Sequence, residues 1–248
     1  MYVEGDMTMT EPKLIISVPG RWKDRTELVQ TVATTSEGYL LAGNILHNAK
    51  EGVGFEIDVY EHDSGLAESY AMTGNELFND KLLSDIHSHT YTVYIIADGQ
   101  GFEAAKNTMN AANGLLKSGG LAVKVETAGT AYTKEEWTEI MKEEEYFSVY
   151  SSLVTLINDD PNYTSVGMQS FGLPDSMVST RFSPDVAADI MNNFNWYLLT
   201  SSPNLNDGET IQFTEEGPTF KLTHWEDTRY ESEDAFFNPL GLWEISEL

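Results

Sequence analysis

The chain has 248 residues, room for one large domain or two packed lobes, and its 41% hydrophobic fraction with five Trp, twelve Tyr and eleven Phe excludes disorder. No apolar run approaches the roughly 18 residues that a membrane-spanning helix needs. Fourteen Lys and Arg against 40 Asp and Glu leave a net charge of −26, about three times the upper end for small domains, roughly 8. Nucleic acids and anionic membranes are bound through cationic side chains, so neither is expected as a partner. A basic protein would be steered in quickly at low salt.

The acids are spread along the chain except at its end, where residues 204–248 hold 11 acids and 2 bases. Even acidity is explained by a solvated surface; the enriched end leaves open an acidic docking face. There is no cysteine, hence no disulfide, thiolate ligand or Cys nucleophile. That fits the cytoplasm, as does a polar start without a basic-then-apolar leader.

Residues 13–18 are apolar with two consecutive isoleucines and are closed by Pro19-Gly20, which predicts a strand ending in a turn. A helix over 24–35 follows, capped by Asp24, with Leu28, Val29 and Val32 on one face. Residues 38–46 read as a strand. Over 53–62, Phe55, Ile57 and Val59 alternate with Glu56, Asp58, Tyr60 and His62, a half-buried strand. Asp63-Ser64-Gly65 is turn chemistry, which makes 66–72 the expected hairpin partner. Phe78, Leu82 and Ile86, four apart, predict a helix near 75–86.

Residues 90–97 are β-branched and aromatic, a strand stopping at Asp98-Gly99. Phe102, Ala105, Met109, Ala112 and Leu116 step 3-4-3-4 and predict a helix over 101–117, terminated by Gly119-Gly120. A strand over 121–126 leads to Thr133 and Glu136, spaced as a capping box. Residues 147–157 and 163–171 read as two strands joined through a turn-rich segment at 158–162. Ser183-Pro184 opens a helix that buries Ala187, Ile190, Met191, Phe194, Tyr197 and Leu198. Strand-like pieces close the chain at 211–214, 219–225 and 242–245.

This order predicts an α+β fold, with antiparallel-rich mixed sheets, helices packed on one face and a split βαβ pattern in the second part. The first part has a shorter strand–helix–strand–strand order, which raises an internal pseudo-repeat. The expected division is a lobe at 1–86 and a lobe at 87–248, with one compact domain as the alternative.

Asp85-Ile86-His87-Ser88-His89 is the nearest approach to a metal motif. In extended backbone His87 and His89 share a face and meet one divalent ion, with His62 and Asp58 as further ligands if their strand lies alongside. Hydrogen-bonded structural histidines explain the same residues. No resident cofactor is expected otherwise. The glycines make no phosphate-binding pattern, Asp98-Gly99-Gln100-Gly101 reads as a tight turn between strand and helix, and no serine is framed as a hydrolase nucleophile.

Two segments stand out. Within 163–175, Gly167 and Gly172 interrupt apolar sequence and suggest close backbone approach, and Leu173-Pro174-Asp175 a sharp exit. Within 236–243, Phe236, Phe237 and Trp243 flank an Asn-Pro turn, as a plug for the core or as a partner-binding surface. With Pro19-Gly20-Arg21-Trp22 and Leu205-Asn206-Asp207-Gly208-Glu209-Thr210, these segments resemble a bacterial family of unknown function, the domain-of-unknown-function family numbered 4261, over nearly the whole chain. The resemblance implies no catalytic residues. It carries an association with bacterial toxin–immunity and secretion neighbourhoods, where small acidic proteins bind and neutralise a partner.

The expected function is therefore a non-enzymatic protein-binding module, of immunity or inhibitor type, for a cationic partner. The alternatives are a metal-dependent hydrolase with its site near His87 and His89, and a structural component that self-associates.

Overall fold

The computed structural model describes residues 11–143 and 145–248; residues 1–10 of the polar start lie outside them. The chain opens with β1 (Lys13–Gly20) and α1 (Arg25–Thr35), then runs through β2 (Tyr39–Ala42), β3 (Ile45–Asn48) and β4 (Val53–Glu61). Helices α2 (Leu66–Thr73) and α3 (Asp80–His87) lead to β5 (Tyr91–Asp98), the long helix α4 (Phe102–Lys117) and the hairpin of β6 (Ala122–Val125) and β7 (Thr130–Thr133). Helices α5 (Lys134–Glu143) and α6 (Tyr146–Leu153) precede β8 (Thr155–Asp159), β9 (Asn162–Val166), a 3₁₀ turn (Met168–Phe171) and β10 (Asp175–Ser179). Helix α7 (Pro184–Ser201), β11 (Thr210–Ile211), β12 (Phe220–Trp225) and β13 (Leu242–Glu247) complete the fold.

Local chemistry accounts for the helix starts. Asp24 Oδ1 accepts the Glu27 N–H at 2.9 Å to cap α1. At α5 the capping box is complete: Glu136 Oε2 accepts the Thr133 N–H at 2.8 Å, and the Glu136 N–H reaches Thr133 Oγ1 at 3.2 Å. The 3-4-3-4 stripe of α4 is buried, with Ala105, Met109, Ala112 and Leu116 all inaccessible.

Two mostly antiparallel sheets with packed helices make this an α+β protein. The first sheet has the order β2-β3-β4-β5-β1-β6-β7 with every neighbour antiparallel; the second has the order β11-β12-β13-β10-β9-β8. In the second, β10 and β13 run parallel. Since β5 and β6 both pair antiparallel with β1, they are parallel to each other with β1 between them. The unit β5–α4–β6 is thus a split βαβ, as the sequence pattern indicates.

Several expectations are corrected. Residues 38–46 cover β2, a Gly43-Asn44 turn and the start of β3 rather than one strand. Residues 66–72 are helical: Leu66 and Tyr70, four apart, both turn into the core. The first part of 147–157 is α6, whose Val149, Tyr150 and Leu153 share a buried stripe, and β7 was not expected. Helices lie on both faces of the first sheet. Val18 on β1 sits against α4 across Gly120, while the neighbouring Ser17, on the opposite face, meets Tyr70 of α2 at 3.4 Å. A division at residue 86 does not follow the sheets, because β5 lies between β4 and β1; the chain changes sheets between β7 and β8, and one buried cluster spans both. The sheets differ in strand order and direction, so no common topology relates them as repeats.

The sheets are joined at two glycines. A Cβ on Gly172 would stand 2.3 Å from the Gly99 carbonyl oxygen, and one on Gly99 would stand 1.9 Å from that of Gln169. The Gly101 N–H donates to Phe171 O at 3.0 Å. The turn between β5 and α4 therefore serves as a seat for the 3₁₀ turn.

Candidate functional site

The second sheet has two unlike faces. Phe220, Leu222, Val178 and Ile245 are buried with Ala187, Met191 and Phe194 of α7. Strand alternation turns Trp225, Leu242, Asp175, Met177 and Thr164 to the other face, where register sets Trp225 opposite Leu242, Leu242 opposite Asp175, and Met177 opposite Thr164. The long connection 226–241 crosses this face. It returns over Asp175, and what fixes it there is ionic.

Arg229 is the anchor. Its Nε and Nη2 donate to both oxygens of Asp227 at 2.9 Å, its Nη2 to Asp175 Oδ2 at 3.2 Å, and its Nη1 to Ser165 O at 3.1 Å. The side chains of Asp175 and Asp227 are fully buried and that of Arg229 is 11% exposed. Asn238 completes the knot: its N–H donates to Asp227 Oδ2 at 3.1 Å and its Nδ2 to Asp175 Oδ2 at 3.2 Å and to Leu173 O at 3.0 Å. On its other oxygen Asp175 accepts the Ser165 hydroxyl and the Met168 N–H, both at 3.2 Å. Burial pushes the Asp175 carboxyl up to about 6, against the pull of Arg229, Asn238 and the Met168 N–H. Two carboxylates around one guanidinium leave the floor of this face net negative.

Beside the knot lies a cleft of about 740 Å³, whose lining includes Asp159, Asp160, Thr164, Trp225, Glu226 and Arg229. Asp159, Asp160 and Glu226 are exposed, and Trp225 is 51% exposed. The indole of Trp225 is held by its Nε1, which donates to Glu244 Oε2 at 3.0 Å. The cleft thus combines three free carboxylates with an oriented aromatic surface.

Residues 164–245, which build this face, match the family model of a domain of unknown function, DUF4261. The likeness is confined to this segment, about a third of the chain, rather than running over nearly all of it. The segment takes in Asp175, Arg229, Asn238, Thr164, Trp225 and Glu226, while Asp159 and Asp160 lie just before it. No curated protein and no solved structure matches the chain.

The histidines converge beside the first sheet, outside residues 164–245. His62 lies 4.8 Å from His89 and 6.2 Å from His87 between ring centroids. His89 is buried, and both its nitrogens are occupied: Nδ1 donates to Ile86 O at 2.7 Å, and Nε2 accepts the Asp63 N–H at 3.2 Å. His62 Nδ1 faces His89 O at 3.0 Å. Burial lowers the His89 imidazole below its ordinary value, which suits this neutral tautomer. His87 ends α3, so the extended spacing that would align it with His89 is absent. Asp58 is four residues before His62, within β4 opposite Tyr94. Among the described residues no group of three or more His, Cys, Asp or Glu is arranged to hold a metal ion.

The aromatics at the end of the chain are packed rather than presented. Trp243 is buried, with its ring 4.8 Å from that of His224. Phe236 is half-buried against Tyr230 at 5.5 Å and against Gly129 in the β6–β7 turn. Phe237 is also half-buried. Neither Arg229 nor the cleft residues Asp159, Asp160, Trp225 and Glu226 stand out in the sequence; only Arg229 leaves a signal there. Its signal was that residues 204–248 hold 11 acids and only two bases, and an isolated cation in such a stretch marks where carboxylates are gathered inside.

Proposed function

We propose that the chain is a non-enzymatic binding module for a basic protein partner. The observation that carries this is the acidic cleft: Asp159, Asp160 and Glu226 beside an exposed Trp225, on a chain of net charge −26. Aromatic surface ringed by charge is the composition of an interaction site, and the charge contributes chiefly to encounter rate and partner choice. The buried ionisable groups that chemistry would require are held in fixed structural hydrogen bonds instead, Asp175 by four donors and His89 through both nitrogens. The family resemblance adds an immunity or inhibitor role in bacteria, in which an acidic protein neutralises a cationic one. A cysteine-free chain fits such a role in the cytoplasm.

The test is kinetic. Association of the full chain with a basic protein, followed by interferometry, should slow steeply as salt rises, while dissociation changes little. An on-rate insensitive to ionic strength would overturn charge-steered binding.

A further inference from the structure

On the reading that the partner is basic, we propose that the cleft receives an arginine side chain of that partner, with its guanidinium against the Trp225 ring and among the carboxylates of Asp159, Asp160 and Glu226. Acidity alone would not single out this place in so acidic a protein. Thr164 does. It lines the cleft and is 1% exposed, yet its hydroxyl has no hydrogen-bond partner. A buried hydroxyl left unpaired is costly, and a donor entering from the cleft relieves that cost.

The volume of about 740 Å³ is within the range of pockets that engulf a small ligand, roughly 300–1,000 Å³. The three carboxylates approach from two sides, Asp159 and Asp160 from the end of β8 and the turn after it, and Glu226 from the residue that follows β12. Among the described residues none of the three is paired with a Lys or Arg. Arg229 in the floor does not repel a second cation, because Asp175 and Asp227 more than match its charge. Arginine fits better than lysine: a planar guanidinium stacks on an indole held at one edge, and its five donors can serve several acceptors at once.

The test titrates the full chain with acetyl-tetra-arginine amide and acetyl-tetra-lysine amide at low salt, by calorimetry and tryptophan fluorescence. The arginine peptide should bind about fivefold tighter. Asp159→Asn/Asp160→Asn/Glu226→Gln should weaken it about tenfold, through loss of three charge pairs. Trp225→Ala should remove the preference for arginine. All four are surface positions, and Glu61→Gln/Glu68→Gln/Glu76→Gln, an equal charge change on exposed residues elsewhere, should bind like the unaltered chain. Equal losses in the two triple variants, or an arginine preference that survives Trp225→Ala, would overturn the cleft and leave the basic-partner reading standing. If neither peptide binds but a basic protein still does, the cleft again falls alone. If neither peptide nor protein binds, both readings fall.

Discussion

The Arg229 guanidinium donates to Asp175 at 3.2 Å, across 54 positions of sequence, and so fastens the crossing connection 226–241 to the strand beneath it. The same guanidinium holds Asp227 with two bonds at 2.9 Å. The wall of the cleft that carries Glu226 is therefore positioned by a buried ionic knot, and stability and binding geometry share one set of residues.

Arg229→Met should cost about 4 kcal/mol of stability, since removing one partner of a buried pair leaves uncompensated charge, here on two carboxylates. Adding Asp175→Asn and Asp227→Asn should recover part of that loss, because the orphaned charges go with it. Denaturant unfolding of the three proteins measures both differences. A loss under about 1 kcal/mol in the single variant, the level of a surface pair, would show that the knot is not what holds the connection.

Asp175 makes acidification stabilising at this site. Its carboxyl sits at about 6 in the fold, above its ordinary 3.8. Between these values the folded state keeps a proton that the unfolded chain has lost, so this group's contribution falls as pH rises through that window. The effect is on the order of 3 kcal/mol. The remaining acids repel one another less at low pH and push in the same direction, so the informative quantity is the difference from Asp175→Asn. Unfolding free energies measured from pH 4 to 7 should converge less steeply in the variant; parallel curves would place the Asp175 titration outside this window.

What the sequence disclosed follows from how locally each feature is determined. The stripe from Phe102 to Leu116 and the Thr133–Glu136 box are set by residues within one or two helical turns, and both formed as read. Residues 66–72 and the first part of 147–157 read as strands because short segments rich in Tyr, Phe and Val suit either period. Tertiary burial of Leu66 with Tyr70, and of Val149 with Leu153, selected the helix. Gly172 announced a close approach without naming Gly99 as its neighbour. The cleft was least legible: its acids come from the end of β8 and the turn after it, and from the residue that follows β12, which only strand pairing brings together.

His89 should behave as a structural histidine, and its response to acid is opposite in sign to that of Asp175. Burial holds its imidazole below the ordinary 6.5. As pH falls below that value the unfolded chain takes up a proton that the folded one resists, so stability is lost. The chemistry of the contact agrees, because a protonated Nε2 can no longer accept the Asp63 N–H. Nitrogen-edited NMR of the full chain should show His89 in the Nδ1–H tautomer with a depressed midpoint, unchanged by added zinc. His89→Ala should lose roughly 1–3 kcal/mol by leaving the Asp63 N–H without its acceptor. A zinc-induced shift of the His89 Nε2 resonance would refute the assignment, since that lone pair would then be bound to metal rather than to backbone.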